Sequence, residues 1–157
     1  MAFLHEVDSD LILKWLESLR ISHYLCGNCQ GIHITELQEM EGVLESRLFL
    51  DESCLIFTTE LEVRNSALFA LQADLLRVNG TYAHLKAFLD TSDNYAVRLI
   101  LCNTLWTCSG LSAEQLDIFM RALIEAKAEV IQSFQEEGYL TLSADDGNNT
   151  APASALH

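Results

Sequence analysis

Basic residues are scarce in this chain, and the scarcity excludes more than any motif establishes. Nine Lys and Arg stand against 23 Asp and Glu in 157 residues, for a net charge of −14 at neutral pH. Such a surface repels a phosphate backbone, and no local cluster of Lys or Arg offers an exception, so nucleic acid is not an expected partner. Long apolar runs are missing as well. The longest uncharged stretch, Leu99 to Ala113, carries Asn103, Thr104, Thr107 and Ser109, and it is too short and too polar to span a hydrocarbon layer of about 30 Å. No membrane is therefore expected. The opening MAFLHEVDSD places acids where an export signal has cations ahead of an apolar core, which points to a cytoplasmic protein. Five cysteines, an odd number scattered along the chain, do not make a secreted disulfide framework and are expected to be reduced.

Catalytic signatures are absent too. The chain holds no GxSxG elbow, no HExxH and no phosphate-binding GxxxxGK[ST], and Glu36, Glu39 and Glu41 lack the spacing and glycine of a calcium loop. His5 and His157 fall in terminal segments and His84 on the outward side of a strand. No catalytic residue, cofactor or enzymatic activity is expected.

What is present is a core. Half of the residues are hydrophobic, which suits one domain of this length. The longest clean two-residue alternation, Val43 to Val63, sets Leu44, Leu48 and Leu50, then Leu55, Phe57, Thr59, Leu61 and Val63 on one side of a hairpin that turns at Asp51-Glu52-Ser53. Before it, Asp8 or Ser9 can cap an amphipathic helix through Ile12, Trp15 and Leu16. A small hairpin across Cys26-Gly27-Asn28-Cys29 and a polar loop from Thr35 to Gly42 follow.

After it, Asn65 or Ser66 can cap a helix running to Gly80, and a second hairpin places Ala83, Leu85, Ala87 and Leu89 opposite His84, Lys86 and Phe88 before turning into Val97, Leu99 and Leu101. Ser112 with Gln115 forms a capping box for a helix reaching about Glu137. The expected order is α-β-β-β-β-α-β-β-α, an α+β fold with helices packed on a twisted antiparallel sheet. One domain over 1–142 and a disordered tail over 143–157, which holds the sole proline, complete the reading.

Two features stand outside that frame. Cys26 and Cys29 are spaced so that both sulfurs can reach one tetrahedral metal, with His33 and His23 flanking them. With no second CxxC to complete four ligands, a turn of ordinary thiols is favoured over a zinc site at Cys26, Cys29 and His33, and over a redox pair. The other feature is a doubling of apolar faces. Leu68, Leu71, Leu75 and Val78 make one stripe on the second helix while Phe69 and Leu76 lie together off its centre. On the last helix Met120, Ile124 and Ile131 widen the main stripe, with Lys127 on the seam. A snorkelling Lys127 is the simpler reading. The alternative makes Phe69, Leu76, Met120, Ile124, Lys127 and Ile131 a surface for a second copy or another protein, so a homodimer and a protein partner of unknown identity are expected.

The run Lys14-Trp15-Leu16, CGNCQGIHI, GVLESRLFLDESCLIF, EVRNSALFALQADL, LKAFLD and LSAEQLDIFMR resembles the enterobacterial branch of the YbjN family, and within it the amylovoran regulators. The resemblance covers about Leu11 to Leu142. It implies a fold like class I type III secretion chaperones, usually dimeric, and a cytoplasmic regulatory role without enzymatic activity. That role is repression of exopolysaccharide production and motility, with effects on stress and virulence responses. A dedicated secretion chaperone, binding an extended effector segment, is the alternative.

Overall fold

The computed structural model describes residues 4–92 and 96–142. The alternating stretch becomes the centre of a six-stranded antiparallel sheet, β3 (Val43–Leu50) paired along its length with β4 (Cys54–Glu62). β1 (His23–Leu25) and β2 (Ile32–Ile34) add on one side, β6 (Arg98–Trp106) and β5 (Lys86–Asp90) on the other, giving the spatial order β1-β2-β3-β4-β6-β5. The helices are α1 (Ser9–Ser18), α2 (Thr35–Gln38), α3 (Leu68–Thr81) and α4 (Ala113–Glu136). Asp8 caps α1 through Leu11 N–H at 2.8 Å. At α4, Ser112 and Gln115 close the reciprocal box.

Residues paired across strands share a face. One face carries Ile32, Leu48, Phe57, Leu55, Leu61, Leu99, Leu101 and Ala87, all buried in one cluster with Ile12 and Leu16 of α1, Leu37 of α2, Leu71 of α3 and Leu123, Val130 and Phe134 of α4. The other face carries His33, Arg47, Phe49, Ile56, Thr58, Glu60, Cys102, Ile100 and Phe88 by the same registers, and none of these joins that cluster. Glu60 ties three strands together there. Its carboxylate accepts from Arg47 Nη2 at 3.0 Å and Arg98 Nη1 at 3.0 Å, while Arg47 also pairs with Glu45.

Amide side chains finish two strand ends. Asn79 of α3 donates to Ala87 O at 2.9 Å and accepts from Ala87 N at 2.8 Å, taking the place of a further strand beside β5. Gln38 does the same for β3 beyond the end of β2, donating to Leu44 O at 3.0 Å and accepting from Ser46 N at 2.9 Å.

The structure departs from the sequence expectations at definite places. Thr35 to Gln38, read as loop, is the short helix that buries Leu37. A bulge between Val43 and Glu45 breaks the alternation, so Leu44 is turned outward while Ser46 takes the inward position. Asn65 and Ser66 fall in a 3-10 turn, and α3 starts at Leu68 without a side-chain cap. β5 starts at Lys86, not Ala83. Most consequential are Met120, Ile124, Lys127 and Ile131, expected on a shared surface. All four are buried within the chain itself, because α4 packs against β6 and α2 and reaches β4 through Lys127. The tail over 143–157 and the middle of the turn before β6 lie outside the described residues.

Candidate functional site

Two short strands and a turn bring Cys26, Cys29 and His33 together. The register Tyr24↔His33 and Leu25↔Ile32 closes the hairpin so that the turn Cys26 to Cys29 folds over its own end. The two sulfurs lie 3.1 Å apart as free thiols, and His33 Nε2 sits 3.2 Å from Cys26 Sγ and 3.4 Å from Cys29 Sγ. His33 is buried, with Tyr24 stacked against it at 4.7 Å between ring centroids. Gly31 allows the close approach of this hairpin to β3, since a Cβ there would meet Phe49 at 3.0 Å and Arg47 at 3.2 Å.

The imidazole tautomer follows from its surroundings. Gln38 spends its N–H on Leu44 O and receives Ser46 N–H on Oε1, so its amide orientation is fixed. His33 Nδ1, 3.1 Å from that same oxygen, must carry a proton to donate there. Nε2 is then the nitrogen that faces both sulfurs. The Cys26 thiol is lowered to about 6, chiefly by the hydrogen bond from Cys29, then by the Asn28 backbone and His33, with burial opposing. His23 does not join. It pairs with Ile34 on the opposite face of the sheet from His33 and its Nδ1 lies 2.8 Å from Ile21 O. Gln38 and Tyr24 were not legible as members of the site, because the first sits in a stretch that reads as loop and the second acts only through a cross-strand register.

The remaining expected site residues separate. Phe69 and Leu76 are 88% and 82% exposed on one side of α3, while Leu71 and Val78 on its other side are buried. Lys127 is fully buried beneath β4. Its Nζ donates to Phe57 O at 2.9 Å and Thr59 Oγ1 at 3.2 Å, and Thr59 bonds on to Ser46 Oγ at 3.0 Å. Burial holds the Lys127 amine well below the usual lysine range.

A further concavity of about 730 Å³ lies between β6 and α4, lined by Leu105, Ile118, Phe119 and Leu123 among others. β5 ends its pairing at Lys86 opposite Cys102, so among the described residues the stretch of β6 beyond it has no strand on that side. Within this region the buried Asn103 Oδ1 lacks a hydrogen-bond partner. No helix among the described residues is long and apolar enough to cross a membrane.

Residues 8–136 match the YbjN family, described as "Putative bacterial sensory transduction regulator". The uncharacterized protein YbjN of Escherichia coli (strain K12) is 33% identical over 140 residues, 89% of each chain, and that of Shigella flexneri is similar to the same degree. The crystal structure of YbjN from E. coli superposes with a TM-score of 0.83 at 31% identity, covering 90% of this chain and 100% of that one. An uncharacterized protein from Methanothermobacter thermautotrophicus, 15% identical, shares the fold at a TM-score of 0.52, covering 83% of this chain and 99% of that one.

Proposed function

The chain belongs to the YbjN family, and from that membership we propose that it is a non-enzymatic, cytoplasmic bacterial regulator that works by binding other proteins. The observation that carries the reading is the bare side of α3. Phe69 and Leu76 lie two turns apart on the same side of the helix and leave most of their area in water, an arrangement a soluble monomer keeps only at a cost that association removes. The resemblance to amylovoran regulators supplies the direction of the effect: repression of exopolysaccharide production and motility, with consequences for stress and virulence responses. The same face serves a homodimer or a protein target.

A second reading rests on a separate observation. The unpaired end of β6 beside an apolar concavity is a place where an extended segment can add as a strand, as in type III secretion chaperones that hold an effector.

The test is complementation of a strain lacking the gene, with exopolysaccharide yield and swimming motility measured. Wild-type protein should lower both, whereas the Phe69→Ser, Leu76→Ser double variant, folded by circular dichroism, should restore neither and should sediment as a smaller species than wild type. A deletion that changes neither trait, or a double variant that complements fully, would refute the reading.

A further inference from the structure

The geometry of the Cys26–Cys29–His33 cluster points to a metal site, and we propose that these three side chains hold one zinc ion, leaving its fourth coordination position for water or a ligand from outside the chain. The proposal is independent of the function argued above.

Three facts converge on it. Cys26 Sγ, Cys29 Sγ and His33 Nε2 form a nearly equilateral triangle with edges of 3.1, 3.2 and 3.4 Å. Around tetrahedral zinc, with bonds of about 2.3 Å to sulfur and 2.0–2.1 Å to nitrogen, the corresponding edges are about 3.5–3.8 Å. Each edge therefore has to open by only a fraction of an ångström, which a turn containing Gly27 and Asn28 can supply without moving the strands.

The second fact is the outer partner of the histidine. A metal-binding imidazole characteristically donates its other N–H to an oxygen that fixes the tautomer. Gln38 Oε1 is that oxygen, itself held by Ser46 N–H. Gln38 is thus doubly employed, completing the edge of β3 and aiming Nε2 at the two sulfurs.

The donor set is the third. Two thiolates and an imidazole are soft and borderline ligands that select zinc over magnesium or calcium, which take oxygen. Two thiolate charges cancel those of Zn²⁺, so the half-buried site carries no net charge to desolvate. Binding displaces the thiol protons to solvent, and no oxidant or reductant takes part. Among the described residues no fourth His, Cys, Asp or Glu joins the cluster. The site is therefore one of three protein ligands and an open position, the arrangement by which zinc accepts an exchangeable ligand.

The test uses the full chain, stripped of metal and kept reduced, titrated with Co²⁺ alone and then with Zn²⁺. The expected result is one Co²⁺ per chain, a sulfur-to-cobalt charge-transfer band, the strong visible absorption of a tetrahedral ion, and loss of both on adding one equivalent of Zn²⁺. Cys26→Ser and Cys29→Ser should each abolish the charge-transfer band or weaken it severely. Gln38→Leu should keep the stoichiometry but weaken affinity about 10- to 100-fold. Cys102→Ser and Cys108→Ser should change nothing.

The proposal is overturned if the reduced wild-type chain takes up Co²⁺ without a charge-transfer band or not at all, which would leave the two thiols as a disulfide-forming pair or a plain turn. It is overturned equally if the band survives Cys26→Ser and Cys29→Ser, or follows Cys102 or Cys108.

Discussion

Replacing Lys127 with Met should leave the protein as stable as wild type or stabilise it at pH 7, although the side chain makes two hydrogen bonds in the middle of the core. Those bonds, to Phe57 O and Thr59 Oγ1, are together worth about 1–3 kcal/mol. Against them stands the cost of holding an amine in an apolar site. Burial drives the Lys127 pKa well down, and each unit of that shift, down to the ambient pH, subtracts about 1.4 kcal/mol from stability at neutral pH. No carboxylate is among its hydrogen-bond partners to offset this. Met has nearly the same length and volume and fills the site beside Phe57. Thr59 Oγ1 keeps its bond to Ser46 after the change.

The sign of the pH dependence follows from the same shift. Between the lowered folded pKa and the ordinary lysine value of about 10.4, the unfolded chain holds a proton that the folded chain does not, so stability rises with pH through that interval. Subtracting the Lys127→Met curve from the wild-type curve isolates this residue. The difference should climb with pH by up to about 1.4 kcal/mol per unit. Urea unfolding at a series of pH values, with unchanged m-values as the check on two-state behaviour, provides both curves. A Lys127→Met variant destabilised by more than about 2 kcal/mol at pH 7, together with a flat difference curve, would mean the ammonium is charged and stabilising, and the reasoning would fail.

Other expectations can be checked in the same unfolding assay. Leu71→Ala should cost about 2–5 kcal/mol, since Leu71 is fully buried, while Phe69→Ala, measured at low protein concentration, should fall within about 0.5 kcal/mol of wild type; equal losses would contradict the two-sided account of α3. Gly42→Ala should lower the urea midpoint, by an amount equivalent to about 1 kcal/mol or more. Gly42 has φ +85°, and a Cβ there would lie 3.0 Å from Leu140; an unchanged midpoint would show that the turn into β3 tolerates other backbone angles.

Much of the fold was legible because burial on one face of a strand leaves a two-residue trace. Leu55, Phe57, Thr59, Leu61 and Val63 alternate without exception, and all five are buried. The Ser112–Gln115 box was readable for a similar reason, being a local motif whose partners lie three residues apart. Illegible were the features set by neighbours distant in sequence. The bulge that turns Leu44 outward depends on how β3 meets β4. The helix from Thr35 is only four residues long, too short for periodicity to register.

The two sites diverge for one physical reason, the range over which each is specified. Cys26, Cys29 and His33 fall within eight consecutive positions, and a hairpin register of three residue pairs is enough to bring them together; the sequence therefore showed the cluster, and lacked only Gln38, which arrives from the next element. Lys127 is the opposite case. Its spacing on α4 announces an inward-facing position, yet whether a lysine there snorkels or is sealed depends on how many elements converge over its end. Here β4 supplies a carbonyl and a hydroxyl within reach, 70 and 68 residues away along the chain, so the long stem ends on hydrogen-bond partners inside the core instead of in water. A periodic apolar stripe thus fixes the direction of a side chain but not its depth, and the expectation that Lys127 marked a surface failed on depth alone.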